Sequence, residues 1–64
     1  MKIKYDKETD ILYIRLKDVA IDESEEDKKG IILDYSADGQ LVGIEVLNAS
    51  KSMDQPSKIE YELA

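Results

Sequence analysis

The chain has 64 residues, enough for one domain, and 38% of them are charged. Its formal net charge of −6 argues against direct binding to a nucleic-acid backbone and suits a basic protein partner. It contains no cysteine and no histidine, and no apolar run approaches the length of a membrane span. Because no signal peptide is recognisable either, we expect a cytoplasmic protein without a disulfide.

Residues 2–6 and 11–16 are predicted to form the first β-hairpin. Both segments alternate polar and apolar residues, the pattern of a half-buried strand. A four-residue turn at 7–10 places Tyr5 opposite Leu12 and Ile3 opposite Ile14. The loop length and the apolar pattern therefore agree, since a slip of one residue would turn the apolar side chains to the other face.

The turn of this hairpin is acidic, because it is bounded or occupied by Asp6, Glu8 and Asp10. Paired carboxylates can perform acid–base chemistry only where burial or a neighbour separates their pKa values. Nothing in this polar segment indicates burial. We interpret it as a solvated turn in which Asp6 or Asp10 accepts hydrogen bonds from loop amides.

Residues 17–29 are dominated by charge. Val19 to Glu23 is predicted to form a short strand, and the run from Asp22 to Lys29 carries five acidic side chains followed by two lysines. We interpret the run as a solvated edge or connection whose charge prevents edge-to-edge pairing of sheets. The alternatives are a cation site and a docking strip for a basic protein.

Residues 30–35 and 40–47 are predicted to form a second hairpin around Asp38 and Gly39, a strong hairpin signal. A four-residue loop at 36–39 places Leu33 opposite Val42, whereas a two-residue loop places it opposite Ile44. Both registers put the two apolar sets on one face. The acidic spacing in this segment partly resembles a calcium loop but lacks the closing Glu and the flanking helices, which favours turn chemistry.

After residue 47, Asn48 can cap a helix start, so a short helical turn that ends before Pro56 is expected. In residues 57–63, the spacing of Ser57 and Glu60 is that of a capping box and indicates helix. Alternation of apolar residues with charges in the same segment indicates strand. We predict a strand, because seven residues at a chain end make a poor isolated helix.

Together these elements predict a mainly β fold of the α+β class in a single domain, residues 1–64. The fold is a small antiparallel sheet built from two β-hairpins, with a short helical turn near the C-terminus. One face of this sheet collects the alternating apolar residues of both hairpins and forms the core.

The second face of the predicted sheet is less polar than a solvated face should be. It carries the following residues: Ile11, Tyr13, Ile32, Leu41, Gly43 and Leu47. We expect the C-terminal segment, a second copy or another protein to cover part of it. The predicted partner-binding residues are Ile32, Leu41, Gly43 and Leu47, and the simplest assembly is a two-fold homodimer.

Three motifs resemble the YuzE-like family of small domains of unknown function. They are Tyr5-Asp6-x-x-x-Asp10-x-Leu12-Tyr13-Ile14-x-Leu16, then Glu23-Ser24-Glu25-Glu26 leading to Gly30-Ile31-Ile32-Leu33-Asp34-Tyr35, and finally Asp38-Gly39-x-Leu41-Val42-Gly43-Ile44-Glu45-Val46-Leu47-Asn48-Ala49-Ser50-Lys51. The resemblance covers residues 2 to 51. It implies a small β-rich fold with no established activity. Toxin-like genes beside some members have suggested an antitoxin role for the family.

Catalysis is not expected from this sequence. It offers no nucleophile–base pair at a recognisable spacing and no glycine-rich phosphate loop. We therefore predict no catalytic, cofactor-binding or metal-binding residues. The leading interpretation is a protein-interaction domain that self-associates, and the alternative is an antitoxin-like acidic binder of a basic protein.

Overall fold

Five antiparallel strands and one short helix make up the computed structural model, which describes residues 1–64. In chain order they are β1 Lys2–Asp6, β2 Ile11–Arg15, β3 Glu23–Lys28, β4 Ile31–Tyr35, β5 Leu41–Val46 and α1 Ala49–Ser52. The strands form one sheet in the order β1-β2-β5-β4-β3, so that β1 and β3 are its edges. The fold is therefore mainly β, as the sequence predicts.

The first hairpin has the predicted register, with Tyr5 opposite Leu12 and Ile3 opposite Ile14. Its turn is held by Asp6, whose Oδ1 accepts hydrogen bonds from the backbone amides of Glu8 and Thr9 at 3.0 and 3.4 Å. The carboxylate thus satisfies loop amides that would otherwise depend on water. β2 then pairs with β5, which joins the two predicted hairpins into one sheet.

The second hairpin contains a β-bulge that the sequence pattern does not reveal. Leu33 lies opposite Ile44, the register of a two-residue loop, but Tyr35 pairs with Leu41 instead of Val42. Val42 is thus the extra residue of the bulge, and it is fully buried. A bulge changes the parity of a strand beyond it, so neither predicted loop describes the whole hairpin.

The prediction of a strand from Val19 to Glu23 is wrong, because β3 begins at Glu23 and runs through the charged segment. All six residues of β3 are exposed, and none of them is hydrophobic. Backbone pairing with β4 specifies the strand, and side-chain periodicity does not. A second irregularity between Glu26 and Lys28 shifts its register. The sheet thus has a fifth, edge strand beyond the two predicted hairpins.

The alternation of side chains gives the sheet two distinct faces. The apolar face carries these residues: Ile3, Tyr5, Leu12, Ile14, Ile31, Leu33, Ile44 and Val46. The polar face carries these: Tyr13, Arg15, Ser24, Glu26, Ile32, Asp34, Gly43 and Glu45. Leu12, Val46 and Ala49 form the buried cluster on the apolar face, and Met53 packs against it. Helix α1 therefore covers only the end of that face.

The predicted strand at residues 57–63 is also wrong, because this segment forms neither strand nor helix. Its apolar side chains are far from buried: Ile59, Tyr61 and Leu63 are 53%, 80% and 87% exposed. A strand requires a ladder partner, and this segment has none within the chain. It therefore covers neither face of the sheet.

No helix of the protein has the length and apolar character needed to cross a membrane.

Candidate interaction surfaces

Helix α1 is fastened to the first hairpin by Asp10. The Asp10 Oδ1 atom accepts hydrogen bonds from the Tyr5 hydroxyl at 2.7 Å and from the Ser50 amide at 2.9 Å. Its Oδ2 atom accepts the Ser50 hydroxyl at 2.6 Å. The Asp10 backbone carbonyl also accepts the Ala49 amide at 2.9 Å. Two helix amides without intrahelical partners are thus satisfied by one residue of the β1–β2 turn.

This arrangement corrects the prediction that Asn48 caps the helix. Asn48 occupies the capping position, but its φ of 51° is left-handed and its side chain makes no capping hydrogen bond. Asp10 supplies the cap from 40 residues away in the chain. The hydrogen bonds from Ser50 and then Tyr5 lower the pKa of Asp10. Donation to Asp10 is also the main reason that the pKa of Tyr5 is raised.

Beyond the helix, the apolar face is open. Ile14, Leu33 and Ile44 are only half-buried, although they lie on the three central strands. Ile3 and Leu16 are each 37% exposed at the margin of this region. We refer to these five residues as the open apolar patch. A sheet normally buries its apolar face against a second layer, and here the chain supplies that layer only at the helix end.

The polar face has a carboxylate at its centre. Asp34 is only 4% exposed, and its Oδ1 atom accepts a hydrogen bond from the Ser24 hydroxyl at 2.6 Å. A Cβ atom placed on Gly43 would lie 3.1 Å from the Ile14 carbonyl oxygen and 3.4 Å from Asp34 Oδ2. The absence of a side chain at Gly43 thus leaves room for Asp34 over the sheet. The space that this glycine leaves free is thus occupied by the Asp34 side chain of the same chain.

Glu45 stands next to Asp34 on the polar face. Burial raises the pKa of Glu45, and the neighbouring Asp34 carboxyl group raises it further. Both residues line a small cavity of about 280 Å³ together with Tyr13, Arg15 and Ile21. Ile21 belongs to the connection between β2 and β3, so this connection reaches the face for which the sequence predicts a cover.

Arg15 does not neutralise the two acids. Its guanidinium donates hydrogen bonds to the backbone carbonyls of Lys17 and Val19, at 3.1 and 2.6 Å. These bonds hold the connection between β2 and β3 in place. The Asp34–Glu45 pair accepts a hydrogen bond from the Ser24 hydroxyl, and the protein provides no cation in ion-pair contact with it.

Glu45→Gln should alter the pH dependence of stability in a defined direction. The pKa of Glu45 is raised in the folded chain, so its contribution is fully present below the unfolded pKa of 4.5 and is lost as pH rises through the folded pKa. The variant should therefore gain stability relative to the wild type as pH rises through that window. Urea unfolding at a series of pH values measures this difference, and a difference that stays constant would contradict the assignment.

Strand β3 gives one edge of the sheet a strongly acidic character. Glu23, Glu25 and Asp27 are exposed and accept no hydrogen bond from another side chain or amide, whereas Glu26 accepts the Gly30 amide at 3.1 Å. The protein's one salt bridge joins Lys58 and Glu60 at 3.7 Å and lies outside this strand. The charges of β3 are thus available to a partner and unfavourable for another acidic strand.

A family model described as a protein of unknown function, DUF2283, matches residues 2–50. The chain belongs to this family. No curated protein and no solved structure matches it. The DUF2283 region begins with β1 and ends at Ser50, so it contains both sides of the contact between Asp10 and Ser50. Residues 51–64 lie outside the DUF2283 region.

The four partner-binding residues predicted for this DUF2283 chain do not form one continuous patch. Ile32 lies between Glu26 and Glu45 on the polar face, and Gly43 is buried beside Asp34. The other two are separated from them. The bulge places Leu41 opposite Tyr35, on the apolar face, and Leu47 follows β5 with its amide bonded to the Gly30 carbonyl at 2.8 Å. Partner binding by these residues stays a prediction.

The loop suspected of resembling a calcium site forms its own internal hydrogen bonds. The Ser36 amide donates to the Gln40 carbonyl at 2.9 Å, and the Gln40 amide donates to Ser36 Oγ at 3.1 Å. Asp38 accepts the Ser36 hydroxyl, which is the main reason that the pKa of Asp38 is lowered. The structure contains no group of three or more acidic, histidine or cysteine side chains arranged to hold a metal ion.

Two features of this DUF2283 chain escaped the sequence analysis. The sequence predicts that Asp6 or Asp10 bonds loop amides, whereas the contact of Asp10 with Ser50 is a long-range one that no local pattern signals. The sequence pattern associates Asp34 only with the loop that partly resembles a calcium site and does not predict its pairing with Glu45. A signal for them exists, because both are acidic residues within apolar strands and the hairpin register puts them on the same face.

Proposed function

We propose that this DUF2283 chain is a non-enzymatic protein-interaction domain that self-associates through the open apolar patch. The observation that carries the proposal is a one-layered sheet whose apolar face is covered only at one end. Four hydrophobic residues are buried in the whole chain. A chain of this size has little surface to bury alone, and no disulfide compensates, so it gains stability from association.

The apolar face suits a second copy better than the polar face does. Pairing of two polar faces would bury the half-buried Glu45 of both copies beside the already buried Asp34, and the loss of hydration of carboxyl groups is costly. Pairing of two apolar faces would bury aliphatic side chains at the centre and leave the charges of β3 at the margin. The product would be a two-layered β-sandwich with sheets about 10 Å apart.

The proposed interface differs from the one that the sequence predicts, because Ile32 and Gly43 lie on the opposite face. A two-fold axis needs one self-complementary patch, and the open apolar patch meets that condition without a charged residue among its five members. The non-enzymatic part of the proposal is supported by the lack of a nucleophile–base pair among the residues described above.

The test compares two neighbouring residues on opposite faces of β4. Leu33 and Ile32 are both half-buried and differ in the face they occupy. We expect wild-type protein at about 20–50 μM to have twice the mass of the chain in multi-angle light scattering, for a Kd of about 1 μM or below. Leu33→Lys should shift the assembly to monomer, since it would bury an unpaired charge in the interface.

The matched control is Ile32→Lys, which places the same charge on the polar face between two glutamates. It should leave the dimer intact. A dimer that dissociates with Ile32→Lys and persists with Leu33→Lys would move the interface to the polar face. A wild type that is monomeric throughout this concentration range would refute self-association.

The alternative function is binding of a basic protein, as an antitoxin-like partner would do. The observation that favours it is the exposed acidic edge strand β3, which carries four carboxylates in six residues. Complexes held by such charges weaken as salt rises, whereas apolar packing is much less sensitive to it.

Within the family, we also propose a YuzE-like affiliation, supported by the first-hairpin motif in which Asp6 and Asp10 hold the turn and the helix.

A further inference from the structure

The C-terminal segment, residues 58–63, has the pattern of a strand without a partner. Its apolar residues Ile59, Tyr61 and Leu63 alternate with Glu60 and Glu62, and all five are exposed. The last backbone hydrogen bond of the chain joins the Lys58 amide to the Gln55 carbonyl at 3.0 Å. Three large hydrophobic side chains at a period of two, held in solvent, are suited to adding a strand to a sheet edge.

Strand β1 offers an open edge with the complementary pattern. It pairs only with β2, so its outer backbone groups have no strand partner. Lys2 and Lys4 lie on the polar face, and Ile3 and Tyr5 lie on the apolar face. A strand added to this edge would therefore meet positive charges on one face and apolar side chains on the other.

The two patterns match on both faces. With its apolar residues on the apolar face, the C-terminal segment would extend the row of Ile3 and Tyr5 and set Glu60 and Glu62 beside Lys4 and Lys2. Strand β3 cannot accept the segment in the same way. Strand β3 carries glutamates on both of its faces. On one face they would oppose Glu60 and Glu62, and on the other they would lie beside the apolar side chains of the added segment.

We propose that residues 58–63 of one copy add as a sixth strand to the β1 edge of a second copy. In a single chain the segment and the edge are both unpaired, and a reciprocal exchange about a two-fold axis satisfies both segments and both edges. The added strand also brings three more apolar side chains to the apolar face. The inference rests on the proposed self-association and names the segment that takes part in it.

The experiment is a charge-reversal cycle in the full-length chain, with the dimer Kd measured by sedimentation. The double variants Glu60→Lys/Glu62→Lys and Lys2→Glu/Lys4→Glu should each weaken the dimer by about ten- to hundredfold. Their combination should restore a Kd close to that of the wild type. All four side chains are exposed, so the substitutions should leave the fold intact.

The control is Glu25→Lys/Asp27→Lys on strand β3. It changes the net charge by the same amount as Glu60→Lys/Glu62→Lys and should not weaken the dimer. A stable dimer that is insensitive to both reversals would overturn the strand exchange and leave self-association standing. A monomeric wild type whose amides at 59–63 are protected from hydrogen exchange would overturn both, because the segment would then occupy its own edge.

Discussion

Leu12→Ala should lower the free energy of unfolding by about 2–5 kcal/mol, the range for truncating a buried leucine. Leu12 is 7% exposed and forms the buried cluster with Val46 and Ala49, where the sheet meets the helix. The cavity would lie in the only part of the apolar face that the chain covers itself. Since small domains have total stabilities near the lower end of about 5–15 kcal/mol, a loss of this size removes a large share of the stability of the fold.

Urea denaturation followed by circular dichroism measures this effect, at one fixed protein concentration because association would add to stability. Glu25→Ala is the control. Glu25 is exposed on the edge strand, and its substitution should change stability by about 0.5 kcal/mol or less. Equal effects of the two substitutions would contradict the position of the core.

Asp10→Ala should release helix α1 from the sheet. The substitution removes the acceptor of three hydrogen bonds, from the Tyr5 hydroxyl and from the amide and hydroxyl of Ser50. We expect a lower melting temperature and faster hydrogen exchange at Ser50. Glu8→Ala is the control within the same turn, because the Glu8 side chain makes no hydrogen bond. Its effect should be several times smaller.

The effect of Asp10→Ala should also depend on pH. The pKa of Asp10 is lowered in the folded chain, so its stabilising contribution is complete above the unfolded pKa of 3.8 and is lost as pH falls through the folded pKa. The difference between wild type and variant should therefore shrink in acid. A difference that grows below pH 4 would show that Asp10 does not hold the helix as a carboxylate.

Asp10 also shows that local patterns can locate a turn without revealing the tertiary contacts of its residues. The acidic turn was expected from local chemistry, and Asp6 does bond the loop amides. Asp10 instead reaches a helix 40 residues later. Residue preference at helix starts predicts that the Asn48 side chain caps the helix. In the fold, the carboxylate and the backbone carbonyl of Asp10 accept the helix amides instead.

The β3 strand and the bulge at Val42 depend on pairing in the same way. A strand of charged residues has no apolar period, so only its ladder with β4 identifies it. The bulge arises from the pairing of β4 with β5, and it places Leu41 opposite Tyr35 on the apolar face. For this reason Leu41 leaves the face on which a regular alternation would place it, whereas Ile32 and Gly43 remain there.

The sequence by itself determined the positions of β1, β2, β4 and β5, the register of the first hairpin, and the short helix after Asn48. Alternation, loop length and turn residues act over neighbouring positions, so they can be evaluated without the fold. The tertiary structure alone decided the order of strands, the edge strand β3, the cap supplied by Asp10, the Asp34–Glu45 pair and the face left open. These features depend on contacts between distant segments, whose free energies exceed the local preferences that a sequence pattern expresses.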